Sequence, residues 1–186
     1  VKLRTGFDMH DLPWLTNLCL ALQDEGVDRV TLHGRYAKLA FRRTSDWNMI
    51  RSLAETLSIP VTGNGDITDP VIALKRLEQS GCDSIMIGRE AARSPWIFRS
   101  CHELACTGKS VLTVNLHEVF IRGLEYTRDM LPVEFHKSRG HRFSFYFCGN
   151  LAFGHGLFAR IRHTDSIDGM IVHVNEYFET NPAETE

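Results

Sequence analysis

Apolar and polar residues alternate in four short stretches along the first hundred positions. In VKLRTG (residues 1–6), Val1 and Leu3 alternate with Lys2 and Arg4. In RVTLHGR (29–35), Val30 and Leu32 alternate with Thr31 and His33. IPVTGNG (59–65) sets Ile59 and Val61 against Thr62 and Asn64, and SIMIGRE (84–90) sets Ile85 and Ile87 against Ser84, Met86 and Gly88. A period of two is that of a β-strand. Between these stretches the period becomes helical. LPWLTNLCLALQDEG (12–26) places Leu12, Leu15, Leu18 and Leu22 on one stripe. DWNMIRSLAETL (46–57) follows a candidate N-cap at Ser45 or Asp46. PVIALKRLEQSG (70–81) has Asp69 before it, Pro70 in its first turn and Gly81 just past its end, an order that matches helix start and stop chemistry. Ser94-Pro95 opens a further helix, PWIFRSCHELA.

Strands alternating with helices predict parallel βαβ units. An open doubly wound sheet and a (β/α)8 barrel both satisfy that pattern. Strands of an open sheet between two helix layers are apolar on both faces. Here one face is polar or small, and more so toward the strand ends, which favours a barrel with a ligand at its mouth. The strand signal stops near residue 108. Helical segments follow at roughly 113–129, 133–148, 150–162 and 167–179, then a polar tail, ETNPAETE. The expected fold is α/β: residues 1–107 form the C-terminal half of a TIM barrel, strands five to eight, and residues 108–186 form a small all-helical domain. The chain begins at Val1, inside a strand-like run, so it is expected to be a piece of a longer barrel. Half a barrel has two open edges, and the piece by itself is expected to self-associate through them.

Composition narrows the class. With 43% hydrophobic and 24% charged residues the chain is an ordinary globular one. No apolar run approaches the ~20 residues that span a membrane, and Lys2, Arg4, Asp8 and Asp11 interrupt any signal-peptide core. Five cysteines, with no CxxC pair, predict free thiols in a reducing cytoplasm and no metal centre. The net charge of −2 hides an asymmetry. Phe135 to Thr164 contains no Asp or Glu but holds Lys137, Arg139, Arg142, Arg160 and Arg162, which predicts a polyanionic partner at that end.

Two consecutive units end in bare turns, Gly63-Asn64-Gly65 and Gly88-Arg89. In barrels the loops after the last two strands commonly bind phosphate through uncovered backbone N–H groups. Lys2 and His33 lie on the polar strand face. A lysine directed into a barrel is costly unless it meets an anion or a carbonyl, and a flavin offers a phosphate and an electron-rich ring system.

Taken in order, VKLRTGFD, VTLHGR…SDW, IPVTGNGDI, GCDSIMIGREA and SPWIF resemble the second half of the tRNA-dihydrouridine synthases. RGHRFSFYFCGN (139–150) is similar to that family's Arg-x-His-x4-Tyr-x2-Gly pattern, with Arg139, His141, Tyr146 and Gly149 in its places. The resemblance implies an FMN enzyme that passes a hydride to C6 of a uridine in tRNA. A cysteine acid protonates C5 and NADPH recharges the flavin. Lys2 and His33 would contact the flavin ring system. Asn64, Gly65 and Asp66, with Gly88 and Arg89, would hold its phosphate. Arg35, Lys137, Arg139, His141, Arg142, Tyr146 and Asn150 would grip the tRNA, with Arg139, Arg142, Tyr146 and Asn150 on one helical face. The chain departs from the family at Ala37, where a basic residue is usual, and at Arg43, where a glycine is usual. The family's catalytic cysteine belongs to a Gly-Cys-Pro loop upstream of Val1, and none of the five cysteines occupies its place. The piece alone is therefore expected to be inactive. Two alternatives remain at this point: another FMN-dependent barrel oxidoreductase acting on a small molecule, and an RNA-binding fragment without redox chemistry.

Overall fold

The computed structural model describes residues 1–6, 12–36 and 44–185. The departures at Ala37 and Arg43 lie outside the described residues. The chain forms two compact units, Val1–Gly88 with Phe98–Ser110, and Arg89–Ile97 with Val111–Glu186. The elements of the first unit, in chain order, are β1 (Lys2–Arg4), α1 (Leu12–Asp24), β2 (Val30–His33), α2 (Trp47–Thr56), β3 (Val61–Asn64), α3 (Pro70–Ser80) and β4 (Ser84–Met86). Helices α4 (Arg89–Arg93), α5 (Ile97–Thr107), α6 (Leu116–Met130), α7 (Val133–Phe147), α8 (Gly154–Ile161) and α9 (Ile167–Thr180) follow.

The sheet runs β1-β2-β3-β4 and every pairing is parallel. A doubly wound sheet reverses direction at a switch point; this one does not. Right-handed crossovers that always step the same way put every helix on one face. The fold is thus α/β, with the strand order of half a (β/α)8 barrel, followed by a helical part. Register makes the two faces distinct. Leu3, Leu32, Gly63 and Ile85 stand side by side in one row. Lys2, Thr31, Thr62 and Ser84 form a second row, and Arg4, His33, Asn64 and Met86 a third. The apolar row packs against Leu15 and Cys19 of α1, Met49, Ile50 and Leu53 of α2, and Ala73 of α3, all buried. The polar rows face the other way, where a barrel has its interior.

Local chemistry sets the element ends. Asp46 caps α2, its carboxylate accepting from Asn48 N (2.9 Å) and Met49 N (3.4 Å). Asp69 caps α3 through Ile72 N (2.8 Å), and Gly81 closes it at φ 62°. The stretch SIMIGRE is shorter as a strand than its alternation predicts. β4 stops at Met86 and Arg89 already begins α4, because Glu90-Ala91-Ala92 is a run of strong helix formers.

In the second unit α6, α7, α8 and α9 close around Phe120, Leu124, Phe147, Leu157, Met170 and Val174. Gly140 is required there: a Cβ on it would lie 2.7 Å from Ile167 Cδ1 and 2.8 Å from Met170 Sδ, so glycine lets α7 and α9 approach. The polar C-terminal segment is tied down. Glu184 accepts from Ala152 N and Tyr177 OH (both 2.8 Å), and Leu116 N donates to Thr185 O (2.7 Å). Among the described residues no helix is long and apolar enough to cross a membrane.

Gly63 faces Trp47, and a Cβ there would sit 2.5 Å from the indole. Gly63→Ala is expected to destabilise the protein by about 1–3 kcal/mol through overpacking, while Gly88→Ala, whose Cβ would meet nothing within 4 Å, should leave the urea midpoint in place.

Candidate functional site

The polar face of the sheet collects cations. Lys2 Nζ donates to Asn64 Oδ1 (3.0 Å), and Asn64 Nδ2 donates to the Met86 carbonyl (2.7 Å), so a side-chain bridge links the two edge strands across the third row. His33 lies between Arg4 and Asn64 in that row and is 8% exposed. Burial, reinforced by the charges of Arg4, Arg35 and Lys2, holds its imidazole down at about 4, with Asp66 pulling weakly the other way. His33 is neutral at physiological pH, offering one N–H donor and one acceptor. Burial, then the Arg4 charge, lowers the Lys2 ammonium from its ordinary value. The face has a positive field and a mixed donor–acceptor lining, which suits an anionic ligand.

The loop after β3 is held by internal contacts. Arg35 is 4% exposed, and its Nη2 meets both Asp66 oxygens (2.7 and 2.6 Å). Asp66 Oδ2 also accepts from Ser45 N (2.6 Å). Ser45 Oγ donates to Asn64 O (3.1 Å) and Trp47 Nε1 to Gly65 O (3.1 Å). Gly65 has φ 129°, and a Cβ on it would lie 2.5 Å from Ser45 Cβ and 3.0 Å from His33 Cδ2. Its bareness therefore serves the seating of the loop against the Ser45–Trp47 segment. Asp66 itself has φ 52°, a left-handed conformation that Asp tolerates better than most residues. Thus Lys2, His33 and Asn64 are brought together on one face. Gly65 and Asp66 lie beside them but are committed to the loop, and the Arg35 guanidinium is turned inward rather than toward a polyanion. Gly88 ends the first stretch of the sheet unit, and Arg89 begins the helical unit.

The basic block of the helical unit sorts itself by partners. Lys137 pairs with Asp165 (2.6 Å), both exposed. His141 Nε2–H donates to the Thr164 carbonyl (2.8 Å). Asn150 leaves the stripe predicted for it, because α7 ends at Phe147 and Cys148–Asn150 forms a 3-10 turn. Its amide donates to Arg93 O (2.6 Å) and Phe147 O (3.1 Å), and its Oδ1 accepts from Ser94 (3.2 Å). Gly149 packs beside Arg93, whose Nη2 donates to its carbonyl (2.6 Å). Among the described residues Arg139, Arg142 and Tyr146 have no such anchors. They line a cleft of about 360 Å³ with Tyr126, Phe143 and Gly123. The sequence reading missed Tyr126 and Gly123, which lie on α6, outside the acid-free window.

The family model for dihydrouridine synthase (Dus) matches residues 1–144. The chain belongs to the dihydrouridine synthase family. It is similar to tRNA-dihydrouridine synthase B of Pectobacterium carotovorum, 35% identical over 130 residues, which cover 70% of this chain and 40% of that protein. It is 38% identical over 119 residues to tRNA-dihydrouridine synthase B of Yersinia pestis, covering 64% of this chain and 37% of the relative. With the protein of that name from Escherichia coli K12 it shares 40% over 121 residues, covering 64% and 37%. The chain spans about two fifths of the length of these curated relatives.

The cysteines of this dihydrouridine synthase chain are free. Burial raises the thiols of Cys19 and Cys101, and pushes that of Cys148 up to about 12. Cys82 is buried and its thiol donates to Ser84 O (3.1 Å). Cys106 is exposed on α5.

His33 makes stability depend on pH. Its folded pKa lies below its ordinary 6.5, so its contribution is full above pH 6.5 and is lost as pH falls toward 4. Unfolding measured against pH is expected to lose on the order of 3 kcal/mol over that window, and His33→Gln should flatten the corresponding slope. Asp66→Asn removes the carboxylate facing buried Arg35 and is expected to cost about 2–3 kcal/mol in chemical denaturation.

Proposed function

We propose that the protein reduces a uridine of tRNA to 5,6-dihydrouridine, with FMN as its redox cofactor and NADPH as reductant, in the cytoplasm. The observation that carries this reading is the cationic strand face around neutral His33, in a chain of the dihydrouridine synthase family. Lys2 and His33 would face the ring system of FMN, and Asn64 and Gly88 are the candidates for its phosphate side within the sheet unit. FMN, when bound, supplies hydride chemistry to the uracil ring. The residues of this chain orient and neutralise. Lys2, tethered by Asn64, brings a positive charge and donors. His33, kept neutral by burial and then by its cationic neighbours, presents a hydrogen bond without adding a further charge. The proton donor for the uracil ring is assigned to none of the five cysteines: burial raises the thiols of Cys19, Cys101 and Cys148, Cys82 is buried and donates to Ser84 O, and Cys106 stands exposed on α5.

The helical unit is the proposed tRNA grip, with Arg139, Arg142 and Tyr146 as its free contacts. Lys137 joins them, because an exposed ion pair such as that with Asp165 is worth little and exchanges readily for a phosphate. The test uses the full-length protein. It is expected to purify yellow and, given NADPH and tRNA from cells lacking dihydrouridine, to form dihydrouridine detectable by mass spectrometry of the digested tRNA. Lys2→Ala should weaken flavin retention about ten-fold, the loss of one hydrogen bond from a charged donor. Colourless protein that forms no dihydrouridine overturns the proposal.

A further inference from the structure

The cleft between α6 and α7 has an uncommon combination of wall and charge. Its wall is almost wholly apolar, although Arg139 and Arg142 help to line it. Their alkyl stems therefore form the wall while the guanidinium groups stand at its margin. Ala92, Gly123 and Phe143 supply further apolar surface, and Tyr126 and Tyr146 add two aromatic rings. Gly123 is needed for this shape: a Cβ on it would overlap the Phe143 ring, at 2.2 Å from Cζ. With glycine there, Phe143 sinks against α6 and the space beside it stays open.

The charges around the cleft are unbalanced in a telling way. Four basic residues of the helical unit have acidic partners: Arg128 has Asp129 and Asp168, Arg160 has Glu176, Arg122 has Glu118, and Lys137 has Asp165. Among the described residues Arg139 and Arg142 make no ion pair, and Arg139 lies over the Phe135 ring at 5.9 Å. Of the acids on α6, Glu118 and Asp129 are paired, and Glu125 lines a separate depression with His117 and Asn175. Tyr126 is 57% exposed, with its hydroxyl accepting from Arg122 Nη2 (3.2 Å). An exposed aromatic ring, an apolar cleft and two planar cations without ion pairs among the described residues fit a ligand that is aromatic on one side and anionic on the other.

We propose that this cleft receives a single unpaired base of the RNA, stacked on Tyr126 or Tyr146, with the adjoining phosphates on Arg139 and Arg142. The inference rests on the tRNA reading above and adds to it: the helical unit reads an unpaired nucleotide and not only backbone charge. Aromatic stacking is tolerant of base identity and independent of duplex geometry, whereas phosphate contacts are shared by paired and unpaired RNA. The cleft would therefore discriminate folded tRNA, with its looped-out bases, from a plain duplex.

The experiment measures binding of the full-length protein to unmodified tRNA and to a blunt RNA duplex of equal charge, across a salt series. Tyr126→Leu and Tyr146→Leu are expected to weaken tRNA binding about ten-fold or more while leaving duplex binding and the salt slope unchanged. Tyr126→Phe, which keeps the ring, should restore tRNA affinity, and thermal unfolding of each variant controls for folding. R139Q with R142Q should weaken both RNAs and lower the salt slope by about two phosphate equivalents. Leucine variants that bind tRNA like the wild type, or that lose duplex binding equally, overturn the base slot while the tRNA reading stands. Wild-type protein that does not bind tRNA overturns both. Tyrosine-dependent binding of poly(Glu,Tyr) in place of tRNA would assign the cleft to an acidic protein partner instead.

Discussion

Cations that share one face of a parallel sheet repel one another, and the sheet unit is organised by how that repulsion is contained. Lys2, Arg4 and Arg35 converge on His33, and neighbouring strands lie only about 4.8 Å apart. One response is to leave His33 uncharged. Another is to bring in a carboxylate: Asp66 adopts a positive φ and meets Arg35 with both oxygens. A third is to spread the remaining charge through Asn64, which accepts from Lys2 and donates to the next strand. What is left is a positive, hydrogen-bonding surface, and that surface is the basis of the anion site proposed above.

The loop after β3 shows how one segment serves two ends. Its glycines look like a phosphate cradle in the sequence, yet both are demanded by neighbours. Gly63 makes room for Trp47 and Gly65 for Ser45. The consequence is that the loop is rigid where it leaves the sheet: Trp47, Ser45 and Arg35 each hold one of its polar groups. A rigid loop places Asn64 reproducibly beside Lys2. The glycines thus contribute to the candidate site by seating the residues that touch it rather than by baring their own N–H groups.

The parallel βα order, the polarity of one strand face and the helix cap at Asp69 were all legible before any coordinates, because each is a local pattern: period two, period 3.6 and a carboxylate ahead of an apolar stripe; the cap of α2 was legible only as Ser45 or Asp46, and the structure chooses Asp46. Element ends were less so. β4 yields to α4 at Arg89 because helix propensity in Glu90-Ala91-Ala92 competes with strand alternation, and alternation in a three-residue strand is a weak signal. The grouping of Lys2, His33 and Asn64 was legible through register alone. The inward turn of Arg35 was not, since it depends on a partner thirty-one residues away and on a left-handed backbone at Asp66 that no local pattern announces. Tyr126 escaped notice for a related reason: charge windows are linear, and the cleft it completes is built from two helices.

The helical motif teaches a similar distinction between a residue that marks a family and one that touches a ligand. Within RGHRFSFYFCGN, Gly140 sets the spacing of α7 and α9, His141 anchors the Thr164 carbonyl, Gly149 rests on Arg93 and Asn150 ties the helix end to Arg93 and Ser94. These four contacts fix the rotation of α7 about its own axis. Once that rotation is fixed, Arg139, Arg142 and Tyr146, three and four residues apart, must emerge on a single face, toward α6. The anchored residues therefore decide where the free ones point. A charge change at Arg139 or Arg142 alters what the cleft attracts, whereas a change at Gly140 or His141 alters whether there is a cleft.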